Sequence, residues 1–215
     1  MSKSELEVSK NKILDGSISI FQPKKGFRVS IDSILLSSSI KEYSKCMEFG
    51  TGSGIIIIYL SKKFPNSKII GVEKNIELVK LANKNLLKNN INNINSKILC
   101  NDLFNKPFLQ EYNNKLDRVI MNPPYFISNN VIKSNNKFKA SARYESNINE
   151  WFEAAYKKLK PKGYMNFVFR TESLDLILSN LNGSWGEIKI FPLWPKVNVK
   201  SKLMILQAKK NAKSG

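Results

Sequence analysis

Three short clusters place residues that could hold a nucleotide-like ligand. Glu48-Phe49-Gly50-Thr51-Gly52-Ser53-Gly54 sets three glycines at alternate positions behind an acid. Glycine lets a backbone turn tightly with positive φ and approach a ligand with no Cβ in the way, which suits such a ligand beyond a strand end. The spacing is not the dinucleotide fingerprint Gly-x-Gly-x-x-Gly, because the third residue after Gly52 is Ile55. Glu73 follows 19 residues after Gly54, where a carboxylate at the end of the next strand can accept from both hydroxyls of a ribose. Asn101-Asp102 closes a third strand in the same way, although on its own Asp102 reads equally as a turn residue.

A fourth cluster, Asn122-Pro123-Pro124-Tyr125, carries the reactive possibility. Two prolines stiffen the backbone and remove two N–H donors, so the carbonyls around them are presented outward as acceptors. The amide oxygen of Asn122 and the carbonyl of Pro123 can both accept from one exocyclic amino group, while the ring of Tyr125 offers a face for a base to stack on. That arrangement suits an sp² amine whose lone pair is drawn out of conjugation and aimed at an electrophilic carbon. Its proton becomes acidic only after the nitrogen has been alkylated, so no general base is required beforehand. The chain has no histidine. Ser-His-Asp and Cys-His nucleophiles, histidine-ligated zinc and a histidine base are therefore excluded, and no metal site is expected.

The elements that would position these clusters follow from periodicity. Apolar runs at Cys46 to Phe49, Ile69 to Glu73, Lys97 to Cys100, Asp117 to Met121 and Tyr164 to Phe169 read as buried strands. Helical spacing appears near Ile55, over Asn75 to Asn89, Asn149 to Leu159 and Glu172 to Leu181. Alternating strand and helix predict an α/β fold with a parallel sheet covered on both faces. Glu187 to Leu193 and Lys202 to Ala208 have no room for a helix between them and must pair antiparallel. The expected fold is Rossmann-like, a seven-stranded mixed sheet with a C-terminal antiparallel hairpin. Ahead of it, Ser17 to Gln22 alternates as a short strand, Pro23 to Gly26 turns, and Asp32 can cap a helix over Ser33 to Ile40. One domain is expected over 1–215: an extension at 1–44, a core at 45–208 and a disordered basic tail at 209–215.

Composition sets the context. The 215 residues carry 35 Lys and Arg against 17 Asp and Glu, a net charge of +18 that points to a polyanionic partner such as nucleic acid. The basic residues are 31 Lys and 4 Arg beside 26 Asn, a pairing that AT-rich coding sequence also produces, so part of the charge is compositional. Met1 to Lys12 lacks the apolar stretch of a signal peptide, and no run is long enough to span a membrane, so a cytoplasmic location is expected. Cys46 and Cys100 read as core thiols.

The glycine run is similar to the acidic-x-Gly-x-Gly-x-Gly motif of S-adenosylmethionine (SAM) enzymes. With Asn122 to Tyr125, the chain resembles the SAM-dependent amino-methyltransferases that carry Asn-Pro-Pro-Tyr, over Phe21 to Lys209. Within them it is most similar to the tRNA (adenine-N6)-methyltransferases that act on valine tRNA, through Gln22-Pro-Lys-Lys-Gly26-Phe-Arg28-Val-Ser30-Ile-Asp32-Ser-Ile-Leu-Leu36. Ala142-Arg143-Tyr144-Glu145 also matches, with Tyr144 where many relatives have His. The resemblance implies a class I methyltransferase fold with SAM held by Glu48, Phe49, Gly50, Thr51, Gly52, Gly54, Glu73, Lys74, Asp102, Leu103 and Asn122. It further implies that Asp102 meets the adenine amino group, that Asn122, Pro123, Pro124 and Tyr125 are catalytic, and that the substrate is the adenosine just 3′ of the anticodon.

RNA would dock on Lys24, Lys25 and Arg28 and on a loop in which Lys133, Lys137, Lys139 and Arg143 interleave with Phe126, Phe138 and Tyr144, the combination that binds phosphates and unstacked bases. The same loop reads equally as an Asn- and Lys-rich segment of biased composition. Rival readings are a ribosomal RNA amino-methyltransferase, a protein-glutamine N5-methyltransferase, and a catalytically silent RNA-binding adaptor.

Overall fold

Strands that are apolar along their whole length must be covered on both faces, and that requirement organises the chain. The computed structural model describes residues 6–26, 28–92, 94–123, 148–181 and 183–213. An N-terminal hairpin, β1 (Val8–Ile13) and β2 (Ile18–Pro23), precedes helix α1 (Ile31–Ser39). Then come β3 (Lys45–Phe49), α2 (Ile55–Lys63), β4 (Lys68–Glu73), α3 (Ile76–Lys88), β5 (Ser96–Cys100) and β6 (Leu116–Met121). The remainder is α4 (Ile148–Lys158), β7 (Leu159–Arg170), α5 (Leu174–Leu181), β8 (Trp185–Leu193) and β9 (Leu203–Lys210).

The main sheet has seven strands in the order β5-β4-β3-β6-β7-β9-β8. The first five pair in parallel and the last two close the sheet antiparallel, as the alternation and the helix-free hairpin predicted. Consecutive strands step outward from β3 to β5, and the chain then returns to β6 on the other side of β3. This switch point opens a crevice beyond the carboxyl ends of β3 and β6, where Phe49 and Met121 are register partners. One face of the sheet packs on α4 and α5 and the other on α1, α2, α3 and β2. Among the described residues no helix is long and apolar enough to cross a membrane.

Several local readings change. Helix α2 opens with Ile55-Ile56-Ile57-Ile58, four β-branched residues that disfavour a helix, yet none is more than 5% exposed. Burial overrides propensity there. β1 was not expected, since its alternation is diluted by lysines. α1 starts at Ile31 after Ser30, so Asp32 lies in the first turn rather than at the cap, favourably placed toward the helix dipole. Cys46 is buried but Cys100 is exposed, which corrects the reading of both as core thiols. β9 runs to Lys210 instead of giving way to a tail at Lys209: the buried Lys210 ammonium donates to Asn114 Oδ1 and to the carbonyls of Tyr156 and Leu159 at 2.7–2.8 Å.

The hairpin is fastened to α3 by two amides, Asn85 within the helix and Asn89 at its C-cap. Asn85 Oδ1 accepts from Phe21 N at 2.8 Å, and its Nδ2 donates to Phe21 O at 2.7 Å and to Ser53 O at 2.8 Å. Asn89 treats Ser19 alike, accepting from its N–H at 3.1 Å and donating to its carbonyl at 2.7 Å. Asn85→Ala removes three hydrogen bonds at a fully buried side chain, and an expected loss of about 2 to 4 kcal/mol follows from leaving their backbone partners unsatisfied. Urea denaturation measures it, with faster amide exchange in β2 as the local signature.

Candidate active site

The glycine run turns the chain from β3 into α2 with left-handed backbone at Gly50, Gly52 and Gly54, φ 71°, 55° and 89°. Side chains with a Cβ are strained there. The loop is laced to the end of β4: Gly50 N and Thr51 N both donate to Val72 O, at 2.8 and 3.0 Å, and Gly52 N donates to Glu73 Oε2 at 3.0 Å. Gly71 on β4 makes room for this, because a Cβ on it would stand 2.8 Å from Thr51 Oγ1.

A cleft of about 520 Å³ opens over this loop. Glu48, Phe49, Gly50, Thr51, Gly52, Glu73, Lys74, Asp102, Leu103 and Asn122 all line it, together with Pro123 and Arg28. Of the residues expected around a cofactor only Gly54 is absent from the wall; it caps α2 and packs against Ala82. Lys24 and Lys25 are exposed on the turn after β2 and do not line the cleft. Pro124, Tyr125, Phe126, Lys133, Lys137, Lys139 and Arg143 lie outside the described residues.

The Glu73 carboxylate accepts one backbone N–H on each oxygen, from Gly52 and from Asn75 at 2.9 Å. Each oxygen keeps a further lone pair, so the group can still accept two hydroxyls of a vicinal diol. Asp102 Oδ1 accepts from Phe104 N at 3.0 Å, which makes it a turn residue as well as a wall of the cleft. Glu48 is buried and accepts from Thr51 Oγ1 at 2.5 Å, and so braces the loop. Burial pushes its carboxyl up to about 8, with the Thr51 hydroxyl and the nearby Ile57 N–H opposing the rise and the Glu73 charge adding to it.

Asn122 leaves the end of β6 with its amide nitrogen donating to Ser33 Oγ of α1 at 2.8 Å. This turns the amide oxygen into the end that can accept from a substrate amine. Ser33 was read only as a helix residue, and nothing in the spacing of α1 distinguishes it from its neighbours. Trp151 of α4 was likewise read as core. Its ring floors the cleft, so close to the loop that a Cβ on Gly50 would stand 3.3 Å from it. Arg28 lies at the mouth, but its guanidinium is turned onto the hairpin, donating to Pro23 O at 3.1 Å and Ser9 Oγ at 3.2 Å. Lys24 makes an exposed ion pair with Glu7 at 3.5 Å.

A left-handed glycine loop, a carboxylate with lone pairs to spare, and Asn122 and Pro123 at a strand end, all in one cleft, suit a nucleoside-bearing donor beside an amine acceptor. The family model for the methyltransferase small domain matches residues 27–176. The chain belongs to that family. Members of the family and its fold use SAM, and the cradle and the Glu73 carboxylate fit a ribose-bearing cofactor.

Methyltransferase relatives agree with this placement. A tRNA1(Val) (adenine(37)-N6)-methyltransferase of a Flavobacteriaceae bacterium is 31% identical over 110 residues, covering 50% of this chain and 46% of that protein. The Haemophilus influenzae protein of the same name is 29% identical over 161 residues, covering 72% and 66%. The match thus spans about half to two thirds of the length of these relatives. Among solved structures, a predicted O-methyltransferase from Agrobacterium tumefaciens aligns with a TM-score of 0.70 at 17% identity, over 85% of this chain and 82% of that one. A 16S rRNA N2 methyltransferase of Thermus thermophilus, solved with AdoMet and guanosine, aligns at 0.64 and 18% identity over 97% and 52%. Both share the class I methyltransferase fold with this chain.

The raised Glu48 pKa has a consequence for stability. Between the unfolded value near 4.5 and the folded value near 8, the native state holds one more proton than the unfolded chain, so this group's contribution falls as pH rises through that window. Glu48→Gln keeps an acceptor and removes the titration. Urea midpoints measured from pH 5 to 8 are expected to decline for the parent relative to this variant, and the absence of histidine keeps the window clear of other strong titrations.

Proposed function

We propose that this protein transfers a methyl group from SAM to the N6 amino group of an unpaired adenosine in tRNA, at the position 3′ of the anticodon of valine tRNA. The observation that carries the reading is the acceptor pair at the end of β6, Asn122 held by Ser33 and followed by Pro123, opening into the same cleft as the glycine cradle and Glu73. The names of the two curated relatives described above support the choice of nucleoside.

In this reading Gly50 to Gly54 cradle the cofactor, Glu73 accepts its ribose hydroxyls, Asp102 receives its adenine amino group, and Lys74 and Leu103 complete the wall. The bound cofactor supplies an electrophilic methyl. Asn122 Oδ1 and Pro123 O accept the two N–H bonds of the substrate amine, which draws the nitrogen lone pair out of the ring and fixes its direction. Tyr125 stacks on the base. The base must leave its stack to reach the strand ends, at least cost where it is already unpaired. Catalysis is then positioning, and the chain's lack of histidine is no obstacle.

Incubation with labelled SAM and fractionated RNA, followed by mass spectrometry of nucleosides, tests the reading, with N6-methyladenosine in tRNA the expected product. N2-methylguanosine, or methylglutamine in a protein without methyladenosine, overturns it. Asn122→Ala should lower turnover by about 100-fold or more, the scale of losing one positioned polar contact in an active site. Calorimetry should find its SAM affinity reduced far less than its turnover, since Asn122 is one of many residues in the wall of the cleft. Glu73→Ala should weaken SAM binding by roughly 100-fold or more through two lost charge-assisted hydrogen bonds.

A further inference from the structure

The register of the last strands brings an unassigned surface to the edge of the sheet that holds the active site. β7 runs parallel to β6, with Phe167 level with Met121. Arg170 at its end pairs with Leu203, where β9 begins, and Leu203 pairs with Leu193, where β8 ends. The connection 194–202 therefore leaves the sheet on the same edge as Asn122. Strands lie about 4.8 Å apart, which puts β9 roughly 10 Å and β8 roughly 15 Å to the side of β6. Arg170 is three residues beyond Phe167, so the connection also stands about 10 Å above the level of Met121, at about 3.3 Å per residue.

What this ledge presents is unusual for a monomer's surface. Trp194 is 63% exposed, Phe191 68% and Val197 88%. Between and after them come Lys196, Lys200 and Lys202, all exposed and, among the described residues, without an ion-pair partner. From Ile188 to Gly215 the sequence has seven lysines and no acid. Glu172, on the same edge, is paired with Arg170 at 2.7 Å. Pro192 and Pro195 flank Trp194 and limit its backbone, so the ring is offered with little freedom left to lose.

Resting on the reading of the chain as an RNA methyltransferase, we propose that the β8–β9 connection is a second docking surface for the RNA, on which Trp194 stacks against an unpaired base while Lys196, Lys200 and Lys202 meet backbone phosphates. Interleaved rings and lysines free of acids match a single-stranded polyanion. An apolar protein partner or a second copy would find three ammonium groups on the same ledge. The surface lies outside the cleft, so it selects and holds the RNA without touching the reacting atoms.

Trp194 reports on its own occupancy, because the other two tryptophans, Trp151 and Trp185, are buried. An unmodified valine tRNA transcript is expected to quench the exposed fluorescence and shield it from iodide, an effect absent in Trp194→Ala. That variant should bind the transcript about 5- to 100-fold more weakly, the range of one stacking contact, with Trp194→Phe recovering much of the loss and SAM affinity unchanged in both. Replacing Lys196, Lys200 and Lys202 together by Ser should make the dependence of log affinity on log salt shallower by about 2, at about 0.7 per phosphate contact. If the parent methylates RNA and all these variants bind the transcript equally well, the ledge is not a docking surface and the proposed activity stands. A parent that neither binds nor methylates RNA overturns both readings. Self-association that depends on Trp194, with no RNA protection of its fluorescence, assigns the ledge to a second copy and overturns this proposal.

Discussion

Two carboxamides on one helix face hold the rest of the site in place. Residues four apart on α3 rise about 6 Å, close to the roughly 6.7 Å that separates residues two apart on a strand. Asn85 and Asn89 can therefore address Phe21 and Ser19 together, each amide accepting the N–H and donating to the C=O of one residue. Side chains of a helix thus take the place of a neighbouring strand along the outer edge of β2. The second hydrogen of Asn85 Nδ2 reaches Ser53 O in the glycine loop. One amide thereby ties the hairpin to the cofactor cradle. From the hairpin the chain runs into α1, whose Ser33 orients Asn122, so the acceptor side of the cleft inherits its position from α3.

Charge inside the molecule follows a different logic from charge on its surface. Lys158 and Lys210 are buried, and their ammonium groups are spent on carbonyl and amide oxygens, Lys158 on Phe108 O and on Asn113 Oδ1 at 2.7 Å. A count of lysines therefore overstates the charge available to a partner, whatever its codon origin. In the cleft the two acids divide their roles by environment. Glu48, sealed under the loop, is driven toward its neutral form, and Glu73, held by two backbone N–H groups, is free of a second full negative charge beside it. Glu73, with one backbone N–H on each oxygen and a lone pair left on each, is the one placed to accept hydroxyls.

The parallel sheet was legible because its strands are long apolar runs separated by turn residues, and the helix-free gap after Leu193 dictated the antiparallel close. Glycines, Glu73, Asp102 and Asn122 were legible as cleft candidates because each lies at or just past the carboxyl end of a strand, where an open α/β sheet binds ligands. What escaped the sequence depends on contacts between distant segments. Ser33 matters only through Asn122, 89 residues away, and Trp151 only because α4 packs beneath Gly50. β1 is hidden because its pairing with β2, rather than its own pattern, makes it a strand. The cap was misplaced by two residues, since Ser30 and Asp32 are both good caps and the chain's path into α1 decides between them.

The cleft and its rim answer different questions. Two oxygen acceptors at a strand end recognise a planar NH₂, and a planar NH₂ is common to adenine, guanine and a carboxamide. Such a pair therefore sets the reaction more than the substrate. Discrimination has to come from what surrounds the flipped group, because contacts made by the remainder of a substrate carry the binding energy that selects it. Lys24 and Lys25 on the turn after β2, and Trp194 with its lysines on the β8–β9 connection, are all exposed and lie outside the cleft. A ligand that engaged these surfaces as well as the cleft would have to be longer than the cleft. The proposed substrate, a folded RNA with an exposed loop, offers that length, a backbone charge opposite to the lysines and an unpaired base, whereas a protein glutamine offers none of them by its own chemistry.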